Sequence, residues 1–171
     1  EQVLVVDGDR YTLFTDEMVA SGRVSASAAL AVQQAELELM NPRLRTDAGA
    51  ELALARLFAA MRLTPETTQS YDVFFEARSI VLPENIRKLI DPQNLQPPII
   101  QSLRLDSDLT LSEPIELNSA DADAELLSIT TLSIKELALA WGDMSVSVIG
   151  DVSPDEVGVL DGSITITARN W

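Results

Sequence analysis

The chain has 171 residues, 46% of them hydrophobic and 23% charged, and its 12 basic and 27 acidic residues leave a net charge of −15 at pH 7. That length is enough for one domain that buries about 70% of its unfolded surface without a covalent or metal staple. The absence of both Cys and His excludes a cysteine nucleophile, a Ser–His relay, a zinc finger, an Fe–S cluster and haem ligation through either residue.

The dominant period along the chain is two. Val3 to Val6 form a short apolar strand ended by Asp7-Gly8-Asp9, a turn sequence, with Tyr11 to Phe14 returning as its partner. From Arg23 to Leu39, Val24, Ala26, Ala28, Leu30 and Val32 alternate with small polar residues. The phase slips after Gln33, where Ala35, Leu37 and Leu39 take over the apolar face. One residue of slip inverts every side chain, so this pattern predicts a bulge near Gln33, or else a break into two strands.

Glu51 to Leu63 carries two periods at once. Leu54, Leu57, Phe58 and Met61 fit a helix, whereas Ala55, Leu57, Ala59, Met61 and Leu63 alternate as a strand. A hairpin of 53–63 with 71–81 is favoured over a helix followed by a strand, because Val73, Phe75, Ala77 and Val81 make 71–82 a strand by composition. Pro83-Glu84-Asn85 starts a short helix over 84–90. Its residues Ile86, Leu89 and Ile90 share one face, and Pro92 stops it. After Pro97-Pro98 a strand runs from Ile99 through Leu103, Leu105, Leu109 and Leu111, with Asp106 and Asp108 on its other side and Pro114 beyond its end.

The last forty residues predict a three-stranded antiparallel meander. Leu132, Ile134, Leu137 and Leu139 lead to a Trp141-Gly142-Asp143 turn. Met144, Val146 and Val148 follow, with Gly150 expected to end that strand. Ser153 to Glu156 is expected as a polar loop and Leu160-Asp161-Gly162 as a second turn, before the alternation of Ile164 and Ile166. The fold class that results is mainly β (β-rich α+β): one curved antiparallel meander sheet with one or two short helices, forming a single domain over 1–171. The start at Glu1 without Met, and the end on Trp171 directly after a strand pattern, suggest part of a longer protein.

The run from Ile134 to Gly142, then Val146, Val148 and Gly150, then Leu160 to Ile166, resembles the C-terminal half of a bacterial domain-of-unknown-function family of Gram-negative envelopes, mainly alphaproteobacterial. Tyr71–Pro83, Glu84–Asp91 and Pro98–Leu105 fit the same layout. More loosely, residues 70–171 are similar to AsmA-like envelope proteins, whose β repeats build apolar-lined sheets associated with lipid handling. The resemblance implies a location in the periplasm or cell envelope, and lipid or another envelope protein as partner. It brings no catalytic residue with it.

Candidate chemistry is sparse. Asp121, Asp123 and Glu125 open like a calcium loop, but Leu126 and Leu132 stand where that loop needs Gly and Glu. Asp106 and Asp108 share a strand face without third and fourth ligands nearby in sequence. Asp155-Glu156 reads as a turn, and the seven glycines are too scattered to cradle a phosphate. The expectation is therefore a protein with no enzymatic activity, no cofactor and no metal. Residues 91–171 hold 3 basic and 14 acidic residues, a surface that repels nucleic acid. No run of about 18 apolar residues exists to span a membrane as a helix.

Same-parity residues of neighbouring meander strands stack on one side. The candidate site is therefore an apolar sheet face comprising Leu103, Leu105, Leu137, Leu139, Val146, Val148, Ile164 and Ile166, with small residues from 24–32 alongside and Phe74 or Phe75 opposite. It is expected to be open, or covered only by the helix and loops. The resemblance to envelope proteins implies that such a face handles lipid or serves as scaffold. The alternative is a protein–protein module using an edge strand or the acidic face. Trp141 and Trp171 are expected to cover sheet edges.

Overall fold

A computed structural model describes residues 2–6, 9–117, 128–155 and 159–171. Its strands are β1 (Gln2–Val6), β2 (Asp9–Phe14), β3 (Glu17–Val24), β4 (Val32–Met40), β5 (Arg43–Thr46), β6 (Glu51–Ala53), β7 (Arg56–Leu63) and β8 (Ser70–Val81), followed after helix α1 (Glu84–Ile90) by β9 (Ile99–Leu111), β10 (Ile129–Trp141), β11 (Met144–Pro154) and β12 (Leu160–Arg169). All of them join one sheet, every pairing is antiparallel, and the sheet is not closed into a barrel. The branched strand order has a simple origin. β2 and β3, β4 and β5, and β6 and β7 are three continuous passes, each bent once: at 15–16, at 41–42 and at 54–55. The bends lie side by side, and the ladder crosses them through Asp16 N–H to Met40 O (3.0 Å), Asn41 N–H to Ala55 O (2.9 Å) and Ala55 N–H to Arg78 O (2.9 Å). Counted as passes, each one pairs only with its sequence neighbours, which makes the sheet a strict up-and-down meander.

The ambiguous segment 51–63 is strand. It pairs with β8 from Arg56↔Arg78 to Leu63↔Tyr71, because in that register its apolar side chains fall in line with those of β8. The short helix spans 84–90 as its sequence predicts. Its apolar side does not face the sheet, however: Ile86, Leu89 and Ile90 are all exposed, and no Cα of α1 comes within 8 Å of a strand. The helix is therefore no cover for the apolar face.

Three other expectations need correction. The alternation does not continue as strand from Ser25 to Leu30. Ser25 Oγ accepts from Ala31 N–H (3.0 Å) and lies 2.7 Å from Ser27 Oγ, and Leu30 has φ 51°, so local serine bonds hold a loop between β3 and β4. The bulge is nonetheless where the phase slip predicts it, with Gln33 unpaired between Arg23↔Gln34 and Val24↔Val32. Finally, Gly150 does not end its strand and 160–162 is not a turn. β11 and β12 pair without a shift from Ser145↔Arg169 to Pro154↔Leu160. Asp121, Asp123 and Glu125 lie outside the described residues.

Two glycines explain that uninterrupted ladder. At Gly162 (φ 152°) a Cβ would sit 2.0 Å from Asp151 O, and at Gly150 (φ 156°) 2.2 Å from Ser163 O. Only glycine lets β11 and β12 approach so closely with this backbone.

The buried core is small and lies near the ends of the sheet. At one end Ala77, Ile80, Ile100 and Trp141 cluster. The Trp141 indole N–H donates to Pro97 O (2.7 Å), and the buried Asp91 carboxylate accepts from the N–H groups of Leu95 and Gln96. Those bonds fasten the 91–97 segment to the Trp141-Gly142 turn, where a Gly142 Cβ would collide with Pro97. Trp141 is thus a core residue, whereas Trp171 is exposed. At the other end the fully buried Tyr71 anchors residues 112–117. Its hydroxyl donates to Val32 O (3.4 Å) and accepts from Ile115 N–H (3.2 Å), while Val32 N–H donates to Ile115 O (2.8 Å). This strap reaches from the end of β9 to the start of β4.

Two outcomes are expected in chemical denaturation. Gly162→Ala should destabilise the protein by about 2 kcal/mol or more, since backbone strain of about 1–3 kcal/mol is joined by a backbone collision. Gly49→Ala, at φ 83° with open space around it, should cost only the strain. Equal losses would mean that β11 and β12 are not in close approach. Tyr71→Phe should cost about 1–3 kcal/mol through the orphaned Ile115 N–H, with faster amide exchange confined to 112–117 and the start of β4.

Candidate functional site

The cross-strand register places all eight candidate residues on one face. Leu103 pairs with Leu139, Leu139 with Val146, and Val146 with Ala168. Leu105 pairs with Leu137, Leu137 with Val148, and Val148 with Ile166. Ile164 lies one row further, opposite Gly150 and in line with Ile134 and Ser107. The row of Ile134 stays in phase with that of Leu137 because Lys135 is an extra residue in β10. The pairings step from Ile134↔Ser107 to Leu137↔Leu105 across it.

The same rows continue across the first half of the chain, further than the sequence pattern alone reached. The Leu103 row runs back through Ala77, Leu57 and Leu39 to Met18. The Leu105 row runs through Phe75, Ala59 and Leu37 to Ala20, and the Ser107 row through Val73, Met61 and Ala35 to Gly22. Phe75 is the aromatic on this face; Phe74 points to the other. Of the small residues at 24–32 only Val24 and Val32 join it, because Ala26, Ala28 and Leu30 are in the loop.

Among the described residues no second layer covers these rows. Leu37, Ala59, Phe75, Leu105, Leu137 and Val148 are half-buried by one another, and Ile164 and Ile166 are exposed. Tyr71, two strands from β4, reaches Val32 O on this side, so the sheet curls toward its apolar face. The result is a trough, strapped at one end by 112–117 and closed at the other by the Trp141 cluster.

The opposite face is polar and carries several ion pairs. Arg56 Nε meets Glu38 Oε1 at 2.7 Å, Arg62 Nη2 meets Asp72 Oδ2 at 2.8 Å, and Lys135 Nζ sits 2.5 Å from Asp108 Oδ1 and 3.7 Å from Asp72 Oδ1. Phe58 and Phe74 pack at 6.0 Å between ring centres, with Arg56 over the first (5.7 Å) and Arg104 over the second (5.3 Å). A shallow depression of about 260 Å³ lies here, lined in part by Glu36, Arg62, Asp72, Phe74 and Asp106. It is smaller than ordinary ligand pockets. The Arg62 hydrogen bond, then Asp108 and Lys135, hold the Asp72 carboxyl below its usual range. A general acid needs the opposite shift. The gap between Asp72 and Asp108, where a cation would sit, is filled by the Lys135 ammonium. Among the described residues, no three acidic side chains converge on one point.

The pairing makes a pH prediction. Asp72 is shifted down, so its contribution is present above its ordinary value near 3.8 and is lost as pH falls through its lower folded value. Lys135 is shifted up, chiefly by its hydrogen bond to Asp108, so its contribution is present below 10.5 and is lost as pH rises beyond that. Lys135→Met leaves Asp72 and Asp108 opposed across the ladder. At neutral pH it should cost no more than about 1 kcal/mol, because these groups are well solvated. That deficit should shrink only as pH falls below 3.8, through the lower folded value of Asp72. A deficit independent of pH in urea titrations would show that Lys135 acts through packing alone.

Comparison with known proteins gives one finding. A family model described as an uncharacterized protein conserved in bacteria (DUF2125) matches residues 3–171. Searches of curated proteins and of solved structures return no match. The model spans nearly the whole chain, first third included, and on that basis the chain belongs to the DUF2125 family of bacterial proteins.

Proposed function

We propose that this chain is a non-enzymatic domain of the bacterial cell envelope that holds lipid acyl chains in its apolar trough. The observation that carries the reading is a sheet face apolar across eight strands, from Met18 to Ala168, with no layer over it among the described residues. Exposed apolar surface of this extent is usually a binding surface. A trough strapped at both ends and open along its middle suits a flexible hydrocarbon chain better than a compact polar substrate. The location in the envelope is supported by the AsmA-like pattern of 70–171. The non-enzymatic reading is supported by the polar face, where Asp72 and Asp108 are engaged by Arg62 and Lys135.

A second reading, an interaction module, is favoured by one observation. Among the described residues β12 is a ten-residue edge strand paired on one side only, without Pro, Lys or bulge, and such an edge accepts another strand.

Native mass spectrometry of the purified protein should retain acyl-containing species. Val148→Asp puts a charge in the middle of the trough. The variant should remain folded, with a stability loss of about 1 kcal/mol or less, and retained lipid should fall at least tenfold. Unfolding of this variant would mean that Val148 lies in closed core, where an unpaired charge costs several kcal/mol, and the lipid reading would fail.

A further inference from the structure

The two long edges of the sheet are complementary to each other. Among the described residues β3 and β12 are each paired on one side only, and the rows of the sheet begin on one and end on the other. Met18 begins the row that ends at Ala168, Ala20 the row that ends at Ile166, and Gly22 the row that ends at Ile164. One step further, Val24 stands level with Gly162, the partner of Val152. In each of these four rows a large side chain on one edge faces a small one on the other. On the polar side, Glu17 begins the row that ends at Arg169, so opposite charges are aligned. Six passes intervene, an even number, and β3 and β12 therefore run antiparallel, as a further ladder requires. Met18, Ile164 and Ile166 are exposed. Neither edge strand carries Pro or Lys, the usual guards against edge pairing.

We propose that copies of this chain join head-to-tail, β12 of one pairing antiparallel with β3 of the next, Ala20 opposite Ile166. The sheet then continues from copy to copy with its parity intact, and the apolar troughs merge into one longer channel. An edge-to-edge contact between unlike surfaces does not close on itself unless the rotation per copy completes a ring, so it propagates. β1 pairs with β2 only from Leu13 to Asp9. It thus lies beyond the end of the incoming β12, and the two do not compete for the same edge. This inference concerns the edges and holds whatever fills the trough.

The chain has no cysteine, so introduced thiols report on the contact without background. The test is the purified, delipidated double variant Ala20→Cys/Ile166→Cys under mild oxidation, read on non-reducing gels. Both positions are exposed, so folding should be unaffected, and circular dichroism checks this. A ladder of dimers, trimers and longer chains is the expected result. The variant Met18→Cys/Ile164→Cys, whose thiols would stand two rows or about 13 Å apart, should cross-link at least tenfold less. Monomer alone, whether reduced or internally bridged by closure of the sheet on itself, would overturn the proposal. So would equal cross-linking of the two double variants, or dimers formed as readily by Ile166→Cys alone, which would indicate pairing of like edges. Lipid retention by the same preparations before delipidation is measured separately, so the failure of either idea leaves the other standing.

Discussion

Cross-strand register is the constraint on which the rest of this structure depends. In a pleated sheet a slip of one residue sends every apolar side chain to the other face, and here one face is lined with apolar side chains while the other carries paired charges. Bulges at Gln33 and Lys135 keep that separation. Without the bulge at Lys135, Ile134 and Leu137, three residues apart, would point to opposite sides. With it, both join the trough, and the lysine falls beside Asp108 and Asp72, where two like charges oppose each other across the ladder. One local irregularity thus serves the apolar face and the electrostatics of the polar face together.

A single-layer sheet has to limit its exposed apolar area without a packing partner. This chain does so by curling. The aligned bends at 15–16, 41–42 and 54–55, the left-handed residues Asn41 and Ser79 on the same line, and the glycine pair in β11 and β12 all depart from a flat ladder. The curl brings neighbouring rows together so that mid-sheet residues half-bury one another. The ends are secured by polar bonds to main chain. Tyr71 holds the 112–117 strap, and Trp141 with Asp91 holds the 91–97 segment. These aromatic and carboxylate anchors do the structural work that a second layer does in a sandwich. They leave the middle of the trough open, and the proposed function requires that opening.

Much of this was legible in the residues. Period-two alternation located the strands, the phase slip located the Gln33 bulge, and Pro83-Glu84 located the helix. Parity alone grouped Leu103, Leu105, Leu137, Leu139, Val146, Val148, Ile164 and Ile166 on one face, because side-chain alternation is a local property of extended backbone. The same local reasoning misled at 25–30, where small residues alternate but serine side chains bond the backbone of a loop. It misled again at Gly150 and Gly162, because glycine marks a turn and a close strand approach equally well.

Tertiary structure alone decided three things. The first was the state of 51–63, whose helical and extended patterns are equally amphipathic until β8 stands beside it. The second was the extent of the trough: rows from Met18, Ala20 and Gly22 join those of the C-terminal half only through pairings between distant strands, and Tyr71 closes over them through Val32 and Ile115. The third was the exposure of that face. Sequence determines which side of each strand is apolar, since that depends only on neighbours along the chain. Whether anything covers that side depends on where every other segment goes, and here helix α1 goes elsewhere.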